Sequence, residues 1–230
     1  MSPKKFKVKV LEVRDLTHDV KEIDVEKPAD ADYLPGQFMT INIDDGGEGV
    51  CMRAYSVMDS PDGTMLQLCV KLVEGGRGSK WLFGLKPGDE MDIIFPAGRF
   101  VLPENLASKL VFVGTGTGIV PLLCMMESFP EGFDKEVEFV FGVRFEEDLF
   151  YQERIAELGN KLKNFKAVLT VSRPGDEWTG AKGRVTDHLQ SLDVAAQFFI
   201  CGSGAVLTDT CKLLEEKGVP KENVFHENFG

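Results

Sequence analysis

The chain has 230 residues, of which 43% are hydrophobic and 27% charged, so it can bury a substantial core as one large domain or two small ones. Its 37 acidic residues outnumber 26 basic ones, and the resulting net charge of −11 argues against binding to the phosphates of a nucleic acid. No apolar stretch is long enough for a membrane span, and the N-terminal MSPKKFKVKV does not have the apolar segment of a signal peptide, so we expect a cytoplasmic protein.

The cysteines and histidines give no sign of a metal site. The five cysteines lie at unrelated intervals, without a CxxC pair or the C-x4-C-x2-C run of a plant-type iron–sulfur cluster. The three histidines are far apart in the sequence. We therefore expect buried thiols and no metal.

The first hundred residues alternate apolar and polar positions in short runs. Such runs begin at Phe6 (FKVKVLEV), Phe38 (FMTINI), Met65 (MLQLCVKLV) and Met91 (MDIIF), and turn formers such as PADADYLPG, DDGGEG and DSPDG separate them. This pattern predicts a small antiparallel barrel or sandwich. One helix is predicted at SKWLFGL, with Ser79 as its N-cap.

After about residue 103 strands and helices alternate. Strand-like runs begin at residues 110, 137, 167 and 198, and segments of helical period lie near 119–128, 150–163 and 205–217. Alternation of this kind predicts a parallel sheet with helices on both faces, which binds ligands beyond the carboxyl ends of its strands. With the junction in 100–110, we expect domains at 1–103 and 104–230.

The stretch VFVGTGTGIVP places Gly114, Gly116 and Gly118 between a buried strand and a helix start. Glycines there allow a tight turn and close approach of a ligand to backbone N–H groups, where the helix start favours an anion. The fit to known fingerprints is partial, because Ile119 stands where GxGxxG needs glycine and no GK[ST] follows. An inert strand-to-helix turn explains the stretch equally well.

A second glycine cluster, VEGGRGSKWL, precedes the predicted helix of the first half. It places two cations, Arg77 and Lys80, next to three glycines and Ser79. Two such clusters in one chain indicate one or two ligands with phosphates. The alternative for this segment is a mobile loop with solvated charges.

The segment MRAYSV could bind a flat, phosphate-bearing ligand. Arg53 and Tyr55 are two residues apart, so on a strand they point to the same side, where one could meet a phosphate and the other a ring. Ser56 faces the opposite way unless the strand ends there. A plain strand end with a partly buried tyrosine is the alternative.

Taken in order, LPGQF, RAYSV, GGRGSKWL, PAGRF, VGTGTGIVP, SRPGDEW and CGSG with a terminal HENFG resemble the ferredoxin-NADP reductase superfamily of flavoproteins. The resemblance runs from about residue 6 to the end. It implies a flavin on the barrel, FAD or else FMN, and NADPH or NADH on the parallel sheet. The chain would then be an NAD(P)H-dependent flavoprotein oxidoreductase, in which placement of two rings matters more than an acid or base.

For the flavin, the resemblance implies that Arg53 meets a phosphate, Tyr55 stacks on the isoalloxazine ring and Ser56 bonds near the flavin N5. Backbone donors around Gly76, Gly78 and Ser79 would hold the phosphate or pyrophosphate. The implied flavin-binding set also includes Ala54, Val70 and Lys71.

For the nicotinamide nucleotide, the resemblance implies a pyrophosphate site at Gly114, Thr115, Gly116, Thr117 and Gly118. It places Cys201 and Gly202 beside the nicotinamide, and Glu227 and Phe229 near the other face of the flavin. Tyr55, Ser56, Cys201 and Glu227 form the implied catalytic set.

The choice between NADPH and NADH is close. Ser172, Arg173 and Lys182 resemble NADPH-selective members, in which cations hold a 2′-phosphate. Arg184 stands where a tyrosine is expected, and WTGAKGRVTD also resembles NADH-using relatives. We favour NADPH slightly, with a solvated basic loop as the alternative.

The resemblance implies an external electron carrier such as a ferredoxin, a flavodoxin or an oxygenase component. Two alternatives stay open: a reductase of free flavin or small acceptors, and a nucleotide-binding electron-transfer subunit of a larger complex.

Overall fold

The computed structural model of the chain describes residues 2–47, 49–59, 63–189 and 192–229. It divides into two units, Met1–Val101 and Leu102–Gly230, called the barrel unit and the sheet unit below. The middle of the predicted DSPDG turn, residues 60–62, and Glu48 of DDGGEG lie outside the described residues. Within the described residues, no helix has both the length and the apolar character that crossing a bilayer requires.

The barrel unit consists of six antiparallel strands and one helix. The elements are β1 (Lys4–Asp15), β2 (Val20–Glu26), β3 (Phe38–Asn42), β4 (Met52–Asp59), β5 (Met65–Lys71), α1 (Arg77–Phe83) and β6 (Glu90–Ala97). The strands close into a barrel in the order β1-β2-β5-β4-β3-β6. The predicted antiparallel barrel is confirmed.

Apolar side chains at alternate positions of the strands point inward and fill the barrel. Inward positions such as Val8, Ile23, Met39 and Leu66 are at most 2% exposed, and each buried side chain of this size contributes about 1.5–3 kcal/mol. Leu82 of α1 joins the same core. The helix therefore packs against the barrel interior.

The prediction that Ser79 caps α1 is wrong. The helix begins at Arg77, and Gly76 is its N-cap. Ser79 Oγ instead accepts a hydrogen bond of 3.0 Å from the Val73 N–H, because the chain turns back at Gly75, whose φ is +70°. The serine thus closes the loop before the helix.

The sheet unit contains a six-stranded parallel sheet. Its elements are β7 (Lys109–Thr115), α2 (Ile119–Glu127), β8 (Glu136–Val143), α3 (Gln152–Lys161), β9 (Asn164–Val171), β10 (Ala181–Lys182), β11 (Gln197–Gly202), α4 (Gly204–Glu216) and β12 (Val224–Asn228). The strand order is β10-β9-β8-β7-β11-β12, and each neighbouring pair is parallel. The predicted parallel sheet is confirmed.

Helices cover both faces of this sheet, as predicted. Val111 and Ile200 belong to one core cluster with Leu207 and Leu214 of α4. On the opposite face, the Phe112 ring stacks on Phe199 and contacts Phe129, which follows α2, with ring centroids 4.9 and 6.4 Å apart. Successive residues of one strand thus serve two helical layers.

Candidate functional site

The residues of RAYS lie on β4 with different exposures. Arg53 and Ala54 are exposed, Tyr55 is half-buried and Ser56 is 5% exposed. Because β4 continues to Asp59, Ser56 faces away from Arg53 and Tyr55. Burial raises the pKa of the Tyr55 phenol to about 12, so its O–H remains a donor at neutral pH.

The barrel is open beside these residues. The ladder between β4 and β5 joins Val57–Asp59 to Leu66–Leu68, although β4 extends back to Met52 and β5 extends on to Lys71. Continuing the register would place Tyr55 opposite Val70 and Ala54 opposite Lys71, but the described ladder ends before these positions. We call the space between residues 54–55 and 70–71 the β4–β5 gap.

Only the backbone of β5 is available at this gap. The Val70 side chain is fully buried in the barrel core, and the Lys71 ammonium pairs with the Asp19 carboxylate at 2.5 Å. A ligand in the gap would meet main-chain groups on the β5 side. The polar side chains would come from β4.

The second glycine cluster closes one end of the gap. A Cβ on Gly78 would lie 2.8 Å from Arg53 Cγ and 3.4 Å from the Tyr55 hydroxyl, so only glycine fits beside these side chains. A Cβ on Gly76 would meet Ser79 Oγ at 2.9 Å. The structure therefore brings RAYS and GGRGS together, although about twenty residues separate them in the sequence.

LPGQF and PAGRF meet on the other side of β4. Gln37 accepts from the Leu34 N–H at 2.8 Å and donates to the Gly98 carbonyl at 3.1 Å. Phe38 pairs with Ser56 on β4 and with Ala97 on β6. Sequence reasoning used both motifs for the resemblance but assigned no site residue to them, and Gln37 is the residue that joins them.

An ion pair that the sequence did not suggest lies beside Gly78. Arg77 Nε and Nη2 donate to Asp45 Oδ2 and Oδ1 at 2.8 and 2.6 Å, and Asp45 Oδ1 also accepts from the Gly47 N–H at 3.1 Å. The hydrogen bonds from Arg77 and Gly47 hold the pKa of the Asp45 carboxyl well below its usual range. The loop between β3 and β4 is thereby tied to the start of α1.

In the sheet unit, the GTGTG stretch forms the turn from β7 into α2. Gly116 has a φ of +53° and open space around its Cβ position, so it serves the turn conformation. A Cβ on Gly118 would lie 2.4 Å from the Cys201 carbonyl oxygen, and one on Gly114 would lie 2.8 Å from Leu122 Cδ1. These two glycines therefore let α2 approach the sheet.

The start of this helical segment can accept an anion. Thr115 precedes the short turn Gly116–Gly118 and Gly118 precedes α2, and neither position has a side chain bonded to the first N–H groups among the described residues. Thr115 and Thr117 are partly exposed. Backbone donors and the helix dipole favour a phosphate at such a place.

One row of residues crosses the sheet near its carboxyl edge. Cys201 on β11 is flanked by Gly114 on β7 and Glu227 on β12. Cys201 is fully buried, and burial, followed by the nearby Glu227 carboxylate, raises the pKa of its thiol above the ordinary value. The thiol is therefore a neutral, compact side chain at this position.

The chain terminus belongs to the sheet. Glu227 lies on β12, and Phe229, just after it, donates its N–H to the Gly202 carbonyl at 2.9 Å. Gly202 itself is in contact with Thr115, whose Oγ1 would lie 2.4 Å from an added Cβ. The structure thus brings the predicted nucleotide residues of the GTGTG turn together with those near the C-terminus.

The predicted 2′-phosphate residues lie together at the end of β9. Ser172 and Arg173 follow the strand, and Lys182 on β10 pairs with Val171. All three are exposed. Arg184 is different, because its Nη1 is 3.3 Å from the Asp209 carboxylate of α4.

The loop between β9 and β10 has a defined conformation. Trp178 Nε1 donates to the Ala181 carbonyl at 2.9 Å, and its ring lies so close to Gly180 that a Cβ there would be 2.3 Å from it. The Arg173 N–H donates to the Arg144 carbonyl at 2.9 Å. The basic segment is therefore held at the carboxyl edge of the sheet, where parallel sheets bind ligands.

Comparison with known proteins gives two family matches. Residues 7–102 match the family described as oxidoreductase FAD-binding domain, and residues 112–212 match the oxidoreductase NAD-binding domain.

Individual relatives agree with these matches. The chain is 32% identical to ferredoxin–NADP reductase B of Sorangium cellulosum over 97% of both chains. It is 29% identical to the reductase component of propane 2-monooxygenase from Rhodococcus jostii, over 97% of this chain and 63% of that one. Among solved structures, the cytochrome P450 reductase GcoB of Amycolatopsis superposes with a TM-score of 0.88 and 25% identity, over 99% of this chain and 70% of the other.

Proposed function

Since the chain belongs to the ferredoxin-NADP reductase superfamily and is an NAD(P)H-dependent flavoprotein oxidoreductase, we propose that it delivers electrons from NADPH, through FAD, to a separate one-electron carrier protein. Its acceptor is a ferredoxin, a flavodoxin or an oxygenase component. The resemblance seen in the sequence is confirmed at the level of the family.

The residues around the β4–β5 gap fit a flavin. Arg53 would bind a phosphate together with the backbone at Gly76, Gly78 and Ser79, since Gly78 leaves space beside Arg53 that any larger residue would fill. Tyr55 would lie against the ring and Ser56 would bond near its N5. Backbone groups of Ala54, Val70 and Lys71 would line the gap.

The residues at the carboxyl edge fit a nicotinamide nucleotide. Gly116 and the N–H groups that follow it would hold the pyrophosphate, with Thr115 and Thr117 beside it. Cys201 and Gly202 would lie beside the nicotinamide, and the neutral thiol would exclude water from the ring without adding charge. We also propose Glu227 and Phe229, which the resemblance implies, as site residues.

When bound, the flavin accepts two electrons from NADPH as a hydride and releases them one at a time. The protein's own residues therefore bind the two ligands, orient their rings and exclude water from them. We propose no general acid or base of the kind that a hydrolase requires, but the one proton that each hydride leaves behind after both electrons have gone must still pass from the site to water.

We assign the nucleotide as NADPH because of the basic segment after β9. Arg173 and Lys182 are exposed cations held at the carboxyl edge, and a 2′-phosphate needs such partners. Arg184, which Asp209 engages, is not part of this set.

The observation that carries the proposal is that each unit has its own glycine turn beside predicted ligand residues. Gly78 lies against Arg53 and Tyr55 in the barrel unit, and Gly118 lies against Cys201 in the sheet unit. Two phosphate-bearing ligands on one chain are what electron transfer from a nucleotide to a flavin requires. We accordingly propose residues 1–103 as the flavin domain, residues 104–230 as the nucleotide domain, and a cytoplasmic location.

Anaerobic titration of the purified protein with NADPH and NADH in parallel tests the proposal. We expect a yellow protein whose flavin is FAD, bleached by NADPH at lower concentration than by NADH, and reoxidised by an added ferredoxin or flavodoxin. A flavin that separates from the protein on gel filtration and turns over as substrate would instead indicate a free-flavin reductase. Nucleotide binding without oxidation by any artificial acceptor would indicate a subunit that needs a partner.

A further inference from the structure

The main chain next to Lys182 is bound to β9 by a buried threonine. Thr170, near the end of β9, is fully buried, and its Oγ1 donates to the Gly183 carbonyl at 2.9 Å. Gly183 directly follows Lys182, and its N–H donates to the Val171 carbonyl at 3.0 Å. Both main-chain groups of Gly183 are therefore hydrogen-bonded to β9.

His188 fixes the direction of the threonine hydroxyl group. Its Nε2 lies 2.9 Å from Thr170 Oγ1. A carbonyl oxygen only accepts hydrogen bonds, so the single hydroxyl proton of Thr170 is used by the Gly183 carbonyl. The imidazole nitrogen is then the donor, and His188 carries a proton on Nε2. The hydrogen bonds run in one direction, from His188 through Thr170 to Gly183.

The residue before His188 binds the other end of the same peptide group. Asp187 Oδ2 accepts from the Arg184 N–H at 2.7 Å. The peptide group between Gly183 and Arg184 is thus bound at its C=O and at its N–H. Gly183 has a φ of +106°, and an added Cβ would lie 2.5 Å from Asp187 Oδ2, so only glycine allows this arrangement.

These hydrogen bonds hold the backbone that carries Lys182. The strand β10 has two residues and lies at the edge of the described sheet, where β9 is its neighbour. A strand pair this short opens readily unless further bonds hold its ends. A cation whose backbone is already held loses less conformational freedom when it binds a phosphate, so its contact is stronger.

We propose that Thr170 and His188 are positioning residues for recognition of the 2′-phosphate of NADPH. By fixing Gly183, they hold the backbone of Lys182 in the position from which its side chain binds that phosphate. This inference rests on the proposed assignment of NADPH and of Lys182 to the 2′-phosphate. Because NADH lacks this phosphate, the two residues contribute to the binding of NADPH and not to that of NADH.

The test measures the dissociation constants of NADP⁺ and NAD⁺ by calorimetric titration of the flavin-loaded protein, since the oxidised nucleotides do not reduce the flavin. Thr170→Val keeps the methyl group and removes the hydroxyl. The ratio of the NAD⁺ constant to the NADP⁺ constant should fall about threefold, within the range expected for the loss of one hydrogen bond. Thr170→Ser is the matched control, because it keeps the hydroxyl and should keep the ratio.

Variants of His188 test the second residue. His188→Leu removes the donor and should lower the ratio less than Thr170→Val does, because the hydroxyl can still reach the Gly183 carbonyl. His188→Gln keeps a donor and should restore the ratio. His188 is partly exposed, so His188→Leu decides the question if circular dichroism shows that Thr170→Val does not fold.

Lys182→Ala separates this inference from the proposed function. If Thr170 acts through Lys182, adding Thr170→Val to Lys182→Ala should leave the ratio as it is in Lys182→Ala alone. An unchanged ratio in Lys182→Ala itself would refute the assignment of the 2′-phosphate, and this inference with it. A ratio that changes in Lys182→Ala but not in Thr170→Val or His188→Leu would refute this inference alone.

Two further outcomes would overturn the inference. An equal rise of both constants in Thr170→Val would indicate a general loosening of the sheet unit. A fall of the ratio that is equally large with and without the Lys182 side chain would show that Thr170 acts by another route.

Discussion

Gly118 shows how a glycine of a ligand-binding motif can be required for packing. Its φ of −62° is ordinary, so backbone conformation does not demand glycine there. The Cys201 carbonyl oxygen, 2.4 Å from an added Cβ, is backbone of a central strand and cannot move aside. The glycine is required because α2 and β11 come this close.

We predict that Gly118→Ala destabilises the protein by about 1–3 kcal/mol, as expected when a well-packed contact is overfilled. Urea unfolding measures the change. Gly159→Ala is the matched control, because Gly159 lies in α3 with its nearest neighbour, Phe165, at 3.8 Å, and alanine in a helix should be stabilising by about 0.5–1 kcal/mol. Equal stability of the two variants would contradict the packing role of Gly118.

Tyr55 gives a prediction for alkaline pH. Its pKa is about 12 in the folded chain against 10.0 ordinarily, because burial disfavours the phenolate. The folded state therefore loses stability as pH rises from about 10 through 12, since the unfolded chain releases this proton first. In Tyr55→Phe the loss of stability over this range should be less steep.

Phenolate absorbance of the apoprotein measures this titration directly. The chain has three tyrosines, and Tyr55→Phe should remove the phase at the highest pH that depends on folding, whereas Tyr151→Phe should leave that phase in place. A high-pH phase that survives in Tyr55→Phe would assign the raised pKa to another residue.

At the site, the sequence predicted the residues that lie within motifs, but it did not predict which residues bind to them in the folded chain. Arg53, Tyr55 and Gly78 stand in recognisable patterns, and the structure brings them together. Asp45 lies in a run of turn formers, 32 residues from the arginine it binds, and no local pattern distinguishes it from its neighbours. Contacts of this kind follow from the barrel closing, which periodicity does not describe.

Among the elements, the strands β2 and β12 were not predicted from the pattern of apolar and polar residues. Every run with clean alternation became a strand. The strand β2 was not predicted, because its sequence VKEIDVE has charged residues at four of its seven positions. Glu22 and Asp24 are 5% and 1% exposed, because both bond to Arg14 and Asp24 also accepts from Gln67. Burial of these carboxylates depends on partners from other strands, which the sequence of β2 alone does not reveal.

The terminal strand β12 was missed for another reason. Its sequence, VFHEN, does not alternate apolar and polar positions, and the sequence analysis predicted no strand there. Its hydrogen-bonded pairing with β11 and the stacking of Phe225 on Phe199, with ring centroids 5.0 Å apart, make it a strand. Tertiary pairing, and not local preference, forms this element.

The segment before β7 depends on one side chain of β11. Gln197, 9% exposed, donates to the Asn105 carbonyl and accepts from the Ala107 N–H, each at 3.0 Å. We predict that Gln197→Met costs about 1 kcal/mol of stability and speeds exchange of the Ala107 amide hydrogen roughly fivefold. Hydrogen exchange followed by mass spectrometry measures both.

The control is Gln152→Met, at the exposed start of α3. It should leave exchange in the segment 105–107 unchanged. Slow exchange at Ala107 in Gln197→Met would mean that backbone packing, and not the glutamine, orders this segment.

For the whole molecule, the assignment of one ligand to each unit predicts separable defects. Lys182→Ala should raise the dissociation constant for NADPH by roughly tenfold, the loss expected for a charge-assisted contact, with little change for NADH or FAD. Arg53→Ala should lower the affinity for FAD. Its affinity for NADPH should stay within about twofold of that of the unaltered protein. Calorimetric titration measures all three ligands.

Lys80→Ala, an exposed cation of the barrel unit, is the control for a general loss of positive charge. It should leave the affinity for NADPH unchanged. An equal loss for NADPH and NADH in Lys182→Ala would indicate a contact to the pyrophosphate and would remove the argument for NADPH.

The β4–β5 gap also has a consequence for how the protein survives in a crowded solution. Strand edges whose N–H and C=O groups lack a neighbouring strand are templates on which other chains can add, and residues 54–55 and 70–71 lie beyond the end of the described ladder between β4 and β5. A flavin bound there would cover these main-chain groups. Without it, the same main-chain groups are open to strand addition from another copy. We therefore expect the flavin-free chain to aggregate on storage, and added FAD to prevent this at concentrations that follow its dissociation constant, as light scattering would record.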